Sequence, residues 1–194
     1  MRILGVLAAL LIASPCMATT IIWDGHILAA DSQSSMGHHK TLSARKIARS
    51  DARHASIATS GNALRAELVI QYFLSCTDPL SKMELPLPKD EDDAVYILVV
   101  FDSGVALFYG GDIAAISSVE APFAMGTGGD IALGAVLSGK TAVQALEYSR
   151  DHDIFTGGAI KSIVAPDATH KLIDIDVKMP ELVLPGTIVP KATK

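Results

Sequence analysis

Thr19-Thr20-Ile21-Ile22-Trp23-Asp24-Gly25-His26-Ile27-Leu28-Ala29-Ala30-Asp31 is the stretch that decides the fold. Asp24-Gly25 sits between two runs, Thr20 to Trp23 and His26 to Ala30, that are short and mostly apolar. An Asp-Gly pair between such runs is a strong hairpin signal, because the tight turn needs backbone angles that Asp and Gly adopt most easily. The stretch therefore predicts antiparallel sheet.

Upstream, Met1-Arg2 gives a short positive start, and Ile3 to Ala13 is an apolar run. That run is too short to span a bilayer, which needs about 20 residues. Ser14-Pro15-Cys16-Met17-Ala18 follows, with small residues at Cys16 and Ala18. This is the pattern of a signal peptide cut after Ala18, so residues 1–18 are expected to leave and the chain to be exported, periplasmic or secreted. A start at Met17 is the alternative. It would keep the chain in the cytoplasm and leave Ala18 ahead of Thr19.

Downstream, Ser32 to Ser43 reads as a polar loop containing the solvated pair His38-His39. Arg45 to Ala48 and His54 to Thr59 read as a second strand pair. Gly61-Asn62 opens a helix on which Leu64, Leu68 and Tyr72 form one row and Ala63, Glu67 and Gln71 another. Residues 78–93, proline-bearing and acidic, read as an exposed connector. Strands are expected at Val95 to Phe101, Val105 to Tyr109, Ile113 to Val119 and Phe123 to Thr127. Helices follow at Asp130 to Leu137 and Thr141 to Arg150, with Thr141 as N-cap. Ile160 to Ala165 and Lys171 to Asp176 read as a last hairpin, and the tail from Lys178 as an extended strap. Strands, helix, strands, two helices, strands is an α+β order: two stacked antiparallel sheets with helices outside. The expected division is residues 1–18, a domain over 19–177, and a tail over 178–194.

Composition narrows the function. Hydrophobic residues make up 49% and aromatics only 5%, which favours a core of small aliphatic side chains over a stacking surface for ligands. A net charge of −5 argues against nucleic acid as a partner, since phosphate binding needs a basic field. If Cys16 leaves with the first segment, Cys76 stands alone and reads as a small core hydrophobe.

Several separated pieces resemble the proteasome β subunits and their bacterial heat-shock-locus (HslV-like) peptidase relative. They are Thr19 to Ile22 with Gly25 to Asp31 behind it, Arg45-Lys46-Ile47, Ile57-Ala58-Thr59-Ser60-Gly61, Met125-Gly126-Thr127-Gly128-Gly129, and Asp153-Ile154-Phe155-Thr156-Gly157-Gly158. Each alone is weak. Their order and spacing, starting at a predicted cleavage point, carry the resemblance.

The resemblance implies an N-terminal-nucleophile hydrolase with a four-layer αββα sandwich, working as a threonine-type peptidase on peptides or unfolded chains. Once uncapped, Thr19 would hold a hydroxyl nucleophile and an amine that acts as its base. By resemblance Lys46 is the cation beside it, Asp31 pairs with Lys46, and Gly61 supplies an oxyanion-hole N–H. Asp153 would orient Thr19, while Thr127 and Thr156 stand where the family has serines and keep the hydroxyl. Ser34, Ala44, Ala48, Thr59 and Ala63 fall near the family's substrate pocket. No cofactor is required by this chemistry; the backbone carbonyls of His152, Phe155 and Gly158 align with a site for a structural Na+ or K+. Asp151-His152-Asp153 in series points side chains in different directions, which argues against a metal site built from them.

The sequence also departs from the family. The first hairpin is shorter by an even number of residues, which keeps the same strand face inward. The family's second helix is replaced by the connector at 78–93, so a homo-oligomer is expected with its ring form open. An ATP-dependent unfoldase is a partner only for a cytoplasmic chain, because ATP is not available outside. A small-amide amidase or acylase, and a silent scaffold subunit, are the competing readings.

Overall fold

The computed structural model describes residues 19–36, 39–75, 95–110 and 116–164. The expected segment 1–18, Cys76, the connector at 78–93, the strand at 171–176 and the tail from 178 lie outside the described residues, as does His38.

The hairpin forms as the sequence predicts: β1 is Thr20–Trp23 and β2 is Ile27–Ala30. Asp24 Oδ1 accepts the backbone N–H groups of His26 (2.9 Å) and Ile27 (2.7 Å), and Gly25 takes φ 102°. A side chain that satisfies its own turn is the reason Asp is favoured there. The same carboxylate reaches across the molecule, its Oδ2 accepting Ala142 N–H at 2.8 Å.

Two further short strands follow, β3 (Ser34–Met36) and β4 (His39–Thr41), paired with each other. The sequence reads this stretch as loop, because its polar residues carry no alternation for a sheet to bury. Then come β5 (Ile47–Ser50), a 3-10 turn at Asp51–Arg53, β6 (Ala55–Gly61) and helix α1 (Ala63–Ser75). The strands β5 and β6 start later than the sequence suggests. Arg45 and Lys46 precede β5, yet Lys46 still takes part in pairing, its carbonyl accepting Thr59 N–H at 2.8 Å. Strands β7 (Val95–Phe101), β8 (Ala106–Tyr109), β9 (Ile116–Val119) and β10 (Phe123–Gly126) come next. Helices α2 (Gly129–Leu137) and α3 (Ala142–His152) and strand β11 (Lys161–Val164) complete the described chain.

The strands pair antiparallel in a sheet ordered β10-β1-β2-β11 and another ordered β5-β6-β7-β8-β9. Three clusters hold these parts together. Ile21, Trp23, Leu28 and Ala30 of the first sheet pack with Ile47, Ala58, Leu98 and Val100 of the second. Ile57, Val95, Ile97 and Val99 pack under α1 against Ala66, Val69, Ile70 and Phe73. Ile22 and Ala29 pack against Ala132, Ala135, Ala145 and Leu146 of α2 and α3. Strand β7 thus buries both faces, which is why Val95 to Phe101 is an unbroken apolar run without alternation. Mixed helix and antiparallel sheet is the observed class.

Helix α1 begins where Asn62 Oδ1 accepts the N–H groups of Leu64 and Arg65, each at 3.1 Å. Its buried row is Ala66, Val69, Ile70 and Phe73, while Leu64 is 72% exposed and Leu68 43%. The core therefore takes the row beside the one the sequence draws attention to. Thr141 caps α3 with Gln144 in a reciprocal capping box. Among the described residues no helix is long and apolar enough to cross a membrane.

Phe73 is fully buried in the cluster under α1, and its backbone carbonyl accepts Arg53 Nε at 2.9 Å. Phe73→Ala is expected to cost about 3–5 kcal/mol of stability, the range for deleting a buried aromatic ring. Urea unfolding checks it through the shift in midpoint.

Candidate active site

Asp31 follows β2 and is 2% exposed. Its Oδ1 accepts Thr20 N–H at 2.8 Å and the Lys46 ammonium at 2.7 Å. Its Oδ2 accepts Gln33 N–H at 3.1 Å and Gly157 N–H at 2.9 Å. A carboxylate has about four acceptor positions, and these bonds fill them. Burying an ion pair costs hydration, and only full hydrogen bonding of both partners makes such a site tolerable. Lys46 is 6% exposed. Burial is the larger influence and holds its pKa below the usual lysine value, against the opposing pull of Asp31. It is an ammonium poised to release its proton more readily than a surface lysine.

The second cluster forms around Asp153, the residue that ends α3. Its N–H bonds the Ser149 carbonyl at 2.7 Å, and its Oδ1 accepts Phe155 N–H at 3.1 Å, which folds the turn after the helix. Oδ2 accepts two hydroxyls, from Thr127 at 3.0 Å and Thr156 at 2.7 Å. The Thr156 hydroxyl also meets that of Thr20, and the Thr127 hydroxyl lies 3.5 Å from the Thr19 carbonyl oxygen. Both threonine hydroxyls thus bond the Asp153 carboxylate.

Glycines let these pieces come together. A Cβ at Gly126, which has φ 95°, would overlap the Thr19 carbonyl. A Cβ at Gly128 would lie against the hydroxyls of Thr20 and Thr156 and 3.0 Å from Asp153 Oδ2. A Cβ at Gly157 would strike the Gln33 side chain. The tight approach of backbone to side chain explains the Gly-Thr-Gly-Gly and Thr-Gly-Gly runs in physical terms.

A pocket of about 250 Å³ opens beside Thr19. Ser34, Ala44, Thr59 and Ala63 of the expected pocket residues line it, together with Thr41, Ser60, Gly61, Ala66, Lys46 and the charged pair Arg45 and Glu67. Ala48 is outside this lining. Its strand neighbour Ile47 packs between the sheets, and Ala48 points the other way, into the cluster under α1. Gly61 ends β6 with φ 114°, on the pocket wall with Thr19.

Thr20, Gln33, Gly126, Gly128 and Gly157 build the site without having been singled out as site residues. The glycines sit inside the quoted motifs, so their signal was present. Gln33 had none: its Nε2 donates to the Ile154 carbonyl at 3.0 Å, a contact between residues far apart in the chain.

His152, Phe155 and Gly158 lie along the turn that carries Asp153. Three of the four carbonyls between them are engaged: Asp153 accepts from Thr156 N–H, Ile154 from Gln33 and Lys40, and Gly157 from Ser32 N–H. Among the described residues no group of His, Cys, Asp and Glu side chains is placed to hold a metal.

The sequence matches no protein-family model and no curated protein. The structure resembles solved ones. Thiobacillus denitrificans BPH aligns with TM-score 0.56 at 18% identity, over 75% of this chain and 96% of that one. Its complex with epoxomicin aligns with TM-score 0.57 at the same identity and coverage. The eukaryotic HslV of Trypanosoma brucei aligns with TM-score 0.53 at 20% identity, over 75% of this chain and 97% of that one. At such identities the likeness establishes a shared fold.

Gly128→Ala is expected to cost about 1–3 kcal/mol, the range for overpacking a filled site. Gly134→Ala, on α2 with nothing within 4 Å of the added carbon, is expected to stabilise the protein by about 0.5–1 kcal/mol. Thermal unfolding of the two variants checks the contrast.

Proposed function

We propose that this chain is a threonine-type peptidase of the proteasome β kind, an N-terminal-nucleophile hydrolase acting through Thr19 once residues 1–18 are removed. The observation that carries the reading is the convergence of the buried Lys46–Asp31 pair and the Asp153 hydroxyl cluster on residues 19 and 20, beside a pocket that Thr19 lines. The shared fold with HslV supports it, and the three core clusters support the αββα layering.

The chemistry follows from the residues. Thr19 Oγ1 attacks the carbonyl carbon of the scissile amide, and its proton passes to the Thr19 amine, directly or through water. The former carbonyl oxygen takes up negative charge facing the Gly61 N–H. Collapse breaks the C–N bond, the amine returns its proton to the leaving nitrogen, and an ester remains on Thr19. Water then adds to the ester with the same amine as base, and the second collapse restores the hydroxyl. Lys46, held by Asp31, supplies positive charge that favours the neutral amine and the developing alkoxide. Asp153 with Thr127 and Thr156 fixes the position of the segment that carries the nucleophile. An alkali ion on the carbonyls of His152, Phe155 and Gly158 would brace the turn that bears Asp153.

A peptide bond ahead of Thr19 makes its nitrogen an amide and removes the base, so the uncut chain is inert in this reading. Export and activation become one event if signal peptidase makes the cut. Peptides or unfolded chains are the proposed substrates, and a homo-oligomer the proposed state. An unfoldase partner belongs only to a cytoplasmic form.

Intact mass of the purified mature chain is expected to correspond to a start at Thr19. A β-lactone is expected to add its full mass to that chain, as ring opening by Oγ1 requires, and to leave Thr19→Ala unmodified. A start elsewhere, or a wild type that takes up no lactone, overturns the reading and favours a silent scaffold.

The pH dependence follows from two groups. The amine must be neutral, and a nearby ammonium lowers it from the ordinary α-amino value, so kcat/KM is expected to rise with pH through a limb centred below about 8. Lys46 must stay charged, and burial holds it below the ordinary 10.5, so activity is expected to fall again as pH rises through a value under 10.5. A pH–rate profile on a peptide substrate checks both limbs.

A further inference from the structure

The pocket beside Thr19 contains two charges that the hydrolysis does not use. Arg45 precedes β5 and Glu67 lies on α1, and both line the pocket with Thr19. Arg45 Nε donates to Glu67 Oε2 at 3.1 Å, and Arg45 Nη2 donates to Glu67 Oε1. Gln71, one turn along α1, donates its Nε2 to the same Oε1 at 3.0 Å. The paired N–H bonds match the flat guanidinium to the flat carboxylate, the geometry in which an Arg–carboxylate pair is most directional. The arginine holds the Glu67 carboxyl below its ordinary pKa, so it stays charged.

Exposure decides what this pair can do. The two side chains are 37% and 36% exposed, whereas Lys46 and Asp31 in the same region are 6% and 1%. The Lys46–Asp31 pair is almost wholly buried, with Lys46 lining the pocket, while Arg45 and Glu67 present part of their surface to whatever enters the pocket. The remaining wall is small and uncharged, with Ala44, Thr59 and Ala63 among its members, apart from Lys46, whose ammonium is paired with Asp31. Its electrostatic character therefore depends on whether Arg45 and Glu67 cancel each other.

We propose that the Arg45–Glu67 pair sets substrate specificity: it makes the pocket electrically neutral, so that the substrate side chain beside the cleaved amide is an uncharged one. A lysine or arginine side chain entering the pocket loses hydration and finds Glu67 already engaged. To bind Glu67 it must displace Arg45, which then loses its partner. An acidic side chain meets the mirror situation. Either incoming charge competes with a bidentate pair already formed, so both charges are disfavoured. Specificity is a difference between competing substrates, and here the difference comes from what the pair refuses. Either charge alone would select its opposite.

This inference rests on Thr19 being the nucleophile, so the experiment tests the two separately. The mature full chain is assayed on amide substrates that differ only in the side chain beside the scissile bond: leucine, lysine or glutamate. Wild type is expected to prefer leucine. Arg45→Gln frees Glu67 and is expected to raise the lysine-to-leucine ratio of kcat/KM about tenfold, the worth of one charge-assisted hydrogen bond. Glu67→Gln frees Arg45 and is expected to raise the glutamate-to-leucine ratio by a similar factor. The double variant is expected to return to the leucine preference. Ratios within one preparation do not depend on how much of it has folded. Single variants whose ratios stay within about twofold of wild type, or move toward the wrong charge, overturn the inference while lactone labelling of Thr19 stands. A wild type that is not labelled removes the nucleophile and this inference with it.

Discussion

The carboxylate of Asp31 is the point on which the structure depends. It joins Thr20 at the start of β1, Gln33 just ahead of β3, Lys46 ahead of β5, and Gly157 in the turn after α3. Thr20, Lys46 and Gly157 are distant from one another in sequence, and β1 and β5 belong to different sheets. No apolar cluster could fix them relative to one another with the same directionality, because hydrophobic contact is not directional while four hydrogen bonds to one group are. The cost is a buried charge, which is tolerated only while every partner is in place. The site is therefore cooperative: removing one partner leaves the others facing an unsatisfied group.

Much of the fold was legible because its local signals agree with its tertiary use. Asp24-Gly25 satisfies its own turn, Thr141 caps α3 with Gln144, and the unbroken apolar run of β7 reflects burial on both faces. Where local signals were mute, the sequence misled. The stretch from Ser32 to Ser43 has no apolar alternation, yet β3 and β4 form there, with Ser32 held by the Leu42 carbonyl at 2.7 Å and Lys40 by that of Ile154 at 3.0 Å. On α1 the sequence reading picks out the rows Leu64–Leu68–Tyr72 and Ala63–Glu67–Gln71, and the buried row of Ala66, Val69, Ile70 and Phe73 is neither of them. The sheet beneath selects the row with Phe73 and leaves Leu64 outward, a choice made by packing geometry that single-sequence periodicity does not contain.

The candidate site was legible in a different way, through motifs in order rather than through periodicity. That route found Asp31, Lys46, Asp153, Thr127 and Thr156, which the structure gathers by direct hydrogen bonds. By the same resemblance it placed Ser34, Ala44, Thr59 and Ala63, which line the pocket, and Ala48, which does not. Ala48 packs under α1 while its strand neighbour Ile47 goes between the sheets, because adjacent residues of a strand face opposite ways. Gln33 and the Arg45–Glu67 pair escaped for the opposite reason. Their partners are brought near only by the fold, and nothing in their immediate neighbours announces it.

The manner in which position 19 is held bears on how such a nucleophile can be made at all. Several bonds that locate it act from its C-terminal side. Asp31 takes the N–H of Thr20, Thr127 approaches the Thr19 carbonyl, and Gly126 gives that carbonyl room by having no side chain. The flanking hydroxyl of Thr20 is likewise tied to Thr156 and so to Asp153. None of these contacts uses the peptide bond that precedes Thr19. Under the proposed reading, a residue anchored in this way would keep its place when the chain ahead of it is cut, and the new amine would appear within a framework already built around it. Position fixed from one side and chemistry released on the other is what a nucleophile and its base sharing one residue would require.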